Sequence, residues 1–187
     1  MGNPDAPVQL VEFVSLTCPH CRHFAETGAP HLVRDYVRTG RVSFEIRPFP
    51  LDIVAAAAAQ LNRCAAPARA FALNDAILTG QDQWFARLEA LPEEEVNRID
   101  ALPPGEQRQR IVSLIGLDEI AARHGLGSDR TRACLADQAG ADRIDLIKAS
   151  GDGLGVEGTP SFTINGRLMR GVHDWAALEP LLRPPGR

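Results

Sequence analysis

The sequence predicts an α/β fold with a mixed central sheet that is interrupted by an inserted helical domain. Three observations predict it. A strand–helix–strand pattern fills the first fifty residues, no convincing strand follows until about residue 155, and a short hairpin then precedes a last helix. The expected organisation is a βαβ part at 1–50, a helical insertion at 51–154 and a ββα part at 155–187.

The first fifty residues have the pattern of a βαβ unit. Val8–Ser15 is apolar and β-branched on both faces, as in a strand that is covered on both sides of a sheet. A helical period follows from Phe24 to Val37, and Pro30 within it should kink or split the helix. Alternation predicts the second strand at Arg41–Arg47, with a parallel pairing to the first.

The insertion shows helical periods that are separated by glycine and proline breaks. Its helices are predicted at 52–64, 67–79, 81–90, 106–115, 117–124, 129–137 and 140–150. The segment at 91–110 is polar and is expected on the surface, with the acidic run Glu93–Glu95 as a solvated helix start.

The strand pattern returns near the end of the chain. Ser161–Gly171 holds two short strands around Asn165-Gly166, the dipeptide that most strongly predicts a two-residue hairpin. Asp174 is then expected to cap a last helix that runs through Leu182.

Composition and charge exclude several classes of function. The chain has 187 residues and a net charge of −4 with no basic patch, so nucleic acid is not an expected partner. No apolar run approaches the roughly 20 residues that a membrane span requires. The first ten residues contain no signal peptide, which leaves a cytoplasmic protein or a removed signal as alternatives.

The four cysteines do not have the spacing of a metal site. Cys18 and Cys21 are close in sequence, whereas Cys64 and Cys134 form no second close pair. Four histidines without ligand spacing are interpreted as surface or cap residues: His23, His31, His124 and His173. We therefore expect no metal, although a metal-binding protein that uses the close pair stays an alternative.

Cys18-Pro19-His20-Cys21 at the start of a helix after a buried strand is a redox signature. Cys18 would lie at the helix N-terminus, where free N–H groups and the helix dipole favour an attacking thiolate. We expect Cys18 to be exposed, His20 to tune its acidity, and the more buried Cys21 to resolve the mixed disulfide. A purely structural disulfide is disfavoured because so short a loop adds little stability.

Glu12 is a carboxylate in an otherwise apolar strand, six residues before Cys18. Burial raises the pKa of such a carboxyl, so that it can exchange a proton near neutral pH. We expect that proton to be the one of Cys21. The alternative is an edge position from which Glu12 points into solvent.

Two stretches together resemble one family: "APVQLVEFVSLTCPHC" and the late "GTPSFTING" are similar to the DsbA-like branch of thioredoxin-fold proteins. The resemblance implies a thioredoxin fold over essentially the whole chain and assigns Glu12 as the buried acid of the family. A proline that opens a strand is ordinarily trans. The resemblance instead implies a cis Thr159-Pro160 bond in a loop that binds the substrate backbone.

The resemblance also implies an activity. The protein would be a disulfide oxidant of the bacterial periplasm, with its signal removed, that acts on unfolded or partly folded cysteine-containing proteins. It would need no cofactor, and a membrane oxidase or reductase would reset the dithiol. Thr159 stands where many oxidases of the family have valine, which leaves a reductase or isomerase open. A redox-inert peptide-binding or chaperone module is the rival from another class.

Two further expectations follow from the family. An N-terminal dimerisation domain is absent from the sequence, so a monomer is expected rather than an isomerase-type dimer. Some relatives carry a second, structural disulfide in the helical region, which here would join Cys64 to Cys134. The alternative is two free buried cysteines, which behave as small hydrophobic residues.

Overall fold

The computed structural model describes residues 1–183, and the chain divides into two compact units. One unit consists of Met1–Phe49 together with the chain from Ile147 onward, and the other is Pro50–Leu146. The first boundary lies within one residue of the expected one. The second lies at Leu146 instead of residue 154, because the last turns of a long helix belong to the first unit.

Residues 1–183 contain four strands, eleven α-helices and one π-helical turn at Val33–Val37. In chain order the strands and α-helices are β1 (Val8–Val14), α1 (Pro19–Thr27), α2 (Ala29–Leu32), β2 (Val42–Pro48), α3 (Ile53–Cys64), α4 (Pro67–Thr79), α5 (Gln81–Glu89), α6 (Glu93–Asp100), α7 (Pro104–Ile115), α8 (Leu117–Arg123), α9 (Ser128–Ala136), α10 (Gln138–Leu154), β3 (Ser161–Ile164), β4 (Arg167–Leu168) and α11 (Trp175–Leu182). Within this range no helix combines the length and apolar character that crossing a membrane requires.

The sheet is mixed, with the strand order β2-β1-β3-β4. Strand β1 pairs in parallel with β2 and antiparallel with β3, so it has a neighbour on each side. Its apolar character on both faces is therefore that of an inner strand. The predicted βαβ and ββα parts meet in this one sheet, and β1 carries the start of α1 at its carboxyl end.

Helix α1 is held against the sheet by aromatic packing. Phe24 on α1 and Phe162 on β3 are both buried, and their ring centroids lie 4.9 Å apart. The helical segment is split as Pro30 predicts: α1 ends at Thr27 and α2 begins at Ala29. Pro30 has no N–H to donate, so a continuous hydrogen-bond ladder cannot pass through it.

The end of the chain folds as the sequence predicts. Asn165 and Gly166 both have positive φ, 49° and 79°, which is the backbone of the tight turn between β3 and β4. Asp174 caps α11, because its Oδ1 accepts a 2.8 Å hydrogen bond from the N–H of Ala177.

The second unit is entirely helical and contains the disulfide that the resemblance implies. Cys64 at the end of α3 is bonded to Cys134 on α9, with their Cα atoms 6.2 Å apart. The buried amide of Gln60 donates to the carbonyls of Cys134 and Asp137 at 2.6 and 2.7 Å. Helices α3 and α9 are thus joined covalently and through a side-chain amide.

Helix α6 extends further than the sequence indicates. It begins at the acidic run, as expected, and continues to Asp100 within the polar segment. Arg98 is paired with Glu94 and, at 3.1 Å, with Glu95, and Arg110 lies 2.7 Å from Glu95. The exposed side of the helix thus carries charge pairs one turn apart, while Ile99 is its buried apolar residue.

Helix α10 continues four residues beyond its predicted end at residue 150. Within the first unit, Gly151 lies against the rings of Phe13 and Phe49, where a Cβ would approach ring carbons to 3.0 Å. The ammonium of Lys148 lies 4.5 Å from the centroid of the Phe49 ring. The absence of a side chain at Gly151 allows the helix and the two aromatic rings to pack closely.

Candidate functional site

The site begins where β1 ends and α1 starts. Cys18 is the N-cap of α1, with extended backbone, and its N–H donates to the carbonyl of Ser15 at 3.1 Å. Pro19 follows as the first helical residue, a position that suits proline because no intrahelical N–H bond is lost there. The turn thus directs the Cys18 sulfur towards the N–H groups of the first turn.

The two cysteines are not bonded to each other, and Cys18 is less accessible than the sequence suggests. Cys21 is fully buried. Cys18 was expected to be exposed, but only 6% of its surface is accessible, because the loop at Thr159 covers it. Pro19 and His20 between them are exposed.

The pKa of Cys18 is lowered to about 4. The largest cause is a hydrogen bond from the Cys21 thiol to the Cys18 sulfur, and burial of Cys18 acts in the opposite direction. The Thr159 side chain and the N–H groups of Cys21 and His20 lower the pKa further. The expected influence of His20 therefore includes its backbone N–H, which is the helix-terminus effect.

Glu12 is buried on the central strand, with only 3% of its surface accessible. It is opposite Ile46 on one side and Phe162 on the other, so the alternative of an edge position is wrong. The pKa of Glu12 is raised to about 8, mainly by burial and to a smaller extent by the negative charge of Cys18. Burial also raises the pKa of Cys21, and the charge of Glu12 contributes to that rise.

The loop before β3 closes the site from the other side. The peptide bond between Thr159 and Pro160 is cis. The Cys18 thiol donates to the Thr159 carbonyl, with 3.2 Å between Sγ and O. The Thr159 hydroxyl is buried and has no acceptor among the described residues, so it is a donor in reserve for the sulfur once Cys18 is ionised.

The structure brings most of the expected site residues together. Cys21 and Thr159 both contact the Cys18 sulfur, the charge of Cys18 acts on Glu12, and the charge of Glu12 acts on Cys21. The Cys64–Cys134 bridge belongs to the other unit. Across residues 1–183, no three cysteine, histidine or acidic side chains are grouped as metal ligands would be.

Two residues that the sequence did not single out for the site contact this loop. Ser161 Oγ donates to the Gly158 carbonyl at 2.8 Å, and His173 Nδ1 lies 2.8 Å from the Pro160 carbonyl. His173 was interpreted as a surface or cap residue. Its partner is a backbone atom thirteen residues away, and nothing in the local sequence marks such a contact.

Known proteins are similar to this chain in sequence. A thioredoxin family model matches residues 1–183. A putative protein-disulfide oxidoreductase of Rickettsia bellii is 35% identical over 172 residues, which cover 89% of this chain and 56% of that protein. The chain thus spans about half the length of the curated relatives that it matches.

Two solved structures extend the comparison to the fold. The crystal structure of protein-disulfide isomerase from Novosphingobium aromaticivorans has a TM-score of 0.90 and 34% identity, and the match covers 97% of this chain and 93% of that one. Wolbachia pipientis alpha-DsbA1 has a TM-score of 0.71 and 26% identity, with coverages of 97% and 87%. The chain therefore belongs to the thioredoxin family, in its DsbA-like group of disulfide oxidoreductases.

Proposed function

We propose that this chain introduces disulfide bonds into other proteins through a Cys18–Cys21 dithiol/disulfide couple. The observation that carries the proposal is the pKa of Cys18, which is lowered to about 4 beside a buried Cys21 thiol. A stabilised thiolate stabilises the reduced form of the couple. The disulfide form then accepts electrons readily, which is the property of an oxidant.

The first step opens the Cys18–Cys21 disulfide. A substrate thiolate attacks Cys18 Sγ and forms a mixed disulfide, while the bond to Cys21 breaks and Cys21 Sγ leaves with the electron pair. The buried Cys21 thiolate is unfavourable because burial raises its pKa, so it takes up a proton. Glu12 is suited to supply that proton, because its own pKa is raised to about 8.

The second step releases the oxidised substrate. A second substrate thiolate attacks the substrate sulfur of the mixed disulfide, and Cys18 leaves as a thiolate. Its low pKa makes Cys18 a good leaving group. The substrate has then lost two electrons and two protons. The couple has gained both electrons and one proton, and the other proton goes to solvent.

The proposal has consequences for partners and location. The substrates would be unfolded or partly folded proteins with pairs of cysteines, which the Thr159-Pro160 loop would hold beside Cys18. A membrane oxidase would reoxidise the dithiol, since each cycle leaves it reduced. We place the protein in the periplasm as a monomer, where disulfides persist. The chemistry requires only the two sulfurs and no cofactor.

The reduction potential of the Cys18/Cys21 couple tests the direction of the reaction. Equilibration with glutathione buffers, followed by alkylation to count free thiols, should give a potential at or above about −180 mV, in the range of disulfide isomerases and oxidases. The Cys64/Cys134-to-alanine double variant serves as the matched protein for this titration, because its only cysteines are those of the site. A potential near about −270 mV, as in reductases, would overturn the oxidase assignment.

An isomerase is the second candidate. The relative from Novosphingobium aromaticivorans, which is 34% identical over nearly its whole length, is named a protein-disulfide isomerase. Recovery of activity from scrambled ribonuclease separates the two. An isomerase restores activity without added oxidant, whereas an oxidase restores it only from the reduced substrate.

A further inference from the structure

Three successive backbone carbonyls of the Thr159-Pro160 loop each meet a different side chain. The Gly158 carbonyl accepts from Ser161 Oγ at 2.8 Å, and the Thr159 carbonyl accepts from Cys18 Sγ at 3.2 Å. The Pro160 carbonyl lies 2.8 Å from His173 Nδ1. Because a carbonyl only accepts, Nδ1 of His173 carries the proton of this bond.

The Pro160 carbonyl lies at the point where the β3–β4 ladder ends. The last ladder contacts are the pair Thr163–Leu168 and a 2.8 Å bond from the Met169 N–H to the Phe162 carbonyl. In an extended strand, carbonyls two residues apart point to the same side. The Pro160 carbonyl is therefore the next acceptor on the side of β4, and β4 has already ended there.

The backbone on either side of His173 is fixed. Val172 is buried, and its N–H donates to the Met169 carbonyl at 3.3 Å. Asp174 caps α11 through the N–H of Ala177. These neighbours hold the backbone of His173 at the end of the sheet, although the residue itself is exposed.

We propose that His173 is a positioning residue that occupies the open acceptor of Pro160 and thereby fixes the loop that faces Cys18. Its imidazole replaces the missing continuation of β4. A substrate backbone that enters beside Cys18 then finds the Pro160 carbonyl occupied, whereas the Thr159 carbonyl is released once Cys18 loses its proton. His173 thus limits the register in which an extended substrate lies across the site.

This inference rests on the proposed function for its meaning but is measurable without it. Loss of the donor frees the Pro160 carbonyl and loosens the cover that leaves Cys18 only 6% accessible. The rate at which iodoacetamide alkylates Cys18 reports that cover and needs no disulfide turnover. The KM for a two-cysteine peptide reports the register as well, whereas dithiothreitol oxidation depends on access to Cys18 and not on the register.

Three variants of His173 identify the donor atom. His173→Leu removes it, His173→Asn places an amide nitrogen near the position of Nδ1, and His173→Gln places one near Nε2. His124→Leu makes the same chemical change in the other unit, and it controls for loss of an imidazole as such.

An ordinary hydrogen bond corresponds to about a three- to tenfold change in an equilibrium. We therefore expect His173→Leu to raise the peptide KM and the Cys18 alkylation rate by about that factor. Dithiothreitol oxidation should rise together with the alkylation rate, because a small dithiol must reach Cys18 but does not use the loop register. His173→Asn should restore the wild-type KM and alkylation rate. His173→Gln should behave like His173→Leu. His124→Leu should behave like the wild type.

Two results would overturn the inference. One is an alkylation rate in His173→Leu equal to that of the wild type. The other is a rise that His173→Asn fails to reverse, since a general loss of packing would not distinguish the two variants. If the wild type oxidises neither dithiothreitol nor the peptide, the proposed function fails, and the alkylation series still decides the role of His173.

Discussion

The charge on Cys18 raises the pKa of Glu12, six residues earlier on the central strand. Burial is the larger cause of the rise, but only the contribution of Cys18 depends on the redox state. In the reduced protein Cys18 is a thiolate at neutral pH and Glu12 retains its proton. Oxidation removes the negative charge, so the affinity of Glu12 for a proton decreases as the disulfide forms.

The first prediction is that Glu12 titrates differently in the two redox states. Its pKa should be about 8 in the reduced protein and lower in the disulfide form. The carboxyl ¹³C chemical shift of Glu12, followed against pH, measures its pKa in the reduced and in the disulfide form. Cys18→Ala is the control, because it has no disulfide and lacks the negative charge of the Cys18 thiolate. Equal pKa values in all three proteins would contradict the coupling.

Replacement of Glu12 by glutamine should change how stability depends on pH. The pKa of Glu12 is raised from 4.5 to about 8 in the folded state. Below about pH 4.5 the carboxyl is protonated in both the folded and the unfolded state, so its burial is not opposed by ionisation. Between pH 4.5 and about 8 the unfolded state loses this proton while the folded state keeps it, so stability falls by up to a few kcal/mol and levels off above pH 8. Urea unfolding of Glu12→Gln should lack this decline between pH 5 and pH 9.

The oxidised protein is the reference for that experiment, because Cys18 acts in the opposite sense. The pKa of Cys18 is lowered from 9.0 to about 4, so its stabilising effect in the reduced protein is complete above pH 9 and is lost as pH falls through 4. Unfolding of the disulfide form isolates the contribution of Glu12, and because its pKa is lower there than in the reduced protein, the decline should be smaller and end below pH 8. A decline of equal size in wild type and Glu12→Gln would exclude the carboxyl as its source.

The acidity of Cys18 should depend on Cys21. The Cys21 thiol is the largest cause that lowers the pKa of Cys18, so Cys21→Ala should raise that pKa well above 4. Cys21→Ser retains a donor and should shift it less. Thiolate absorbance in the ultraviolet against pH gives the midpoints, and Cys18→Ser, which should abolish disulfide exchange, supplies the baseline. An unchanged midpoint in Cys21→Ala would refute the hydrogen bond.

Loss of the Cys64–Cys134 bridge should lower stability without altering the site. The bridge closes a loop across a sequence separation of 70 residues, which corresponds to about 4 kcal/mol in the chain-entropy model. Denaturant unfolding of the Cys64/Cys134-to-alanine variant should show a loss of that order, whereas the Cys18 titration should not move. A shift of the Cys18 midpoint would mean that the bridge also acts on the site.

Two glycines of α10 should respond in opposite ways. A Cβ at Gly153 would meet no atom of the described residues within 4 Å outside its own stretch of helix, so Gly153→Ala should stabilise the helix by up to about 1 kcal/mol. Gly151→Val must displace the rings of Phe13 and Phe49 and should destabilise the protein by about 1–3 kcal/mol. Thermal unfolding compares the two. A stabilising Gly151→Val would show that the rings give way easily.

Local features were predictable from the sequence because short stretches determine them. Asn165-Gly166 specifies its turn through the backbone freedom of two adjacent residues, and Pro30 splits its helix because it lacks a donor. The positions of Cys18 and Glu12 followed from one strand and one helix start. The pairing of Cys64 with Cys134 required the family resemblance, since spacing alone left two free cysteines as an alternative.

Other features depend on contacts that leave no mark in a single sequence. The role of Gly151 is set by the rings of Phe13 and Phe49, which are both more than a hundred residues away in the chain. The small accessible surface of Cys18 depends on the Thr159 loop, which a helix-terminus position cannot indicate. His173 contacts a backbone carbonyl, and any residue type could have supplied that carbonyl.

The small accessible surface of Cys18 limits when a client protein can be oxidised. On the proposed function, a sulfur with 6% of its surface accessible is reached most readily by a cysteine on an unfolded chain. A client whose cysteines are already enclosed presents no such chain. The protein would therefore compete with the folding rate of each client, and slowly folding proteins would be oxidised most completely.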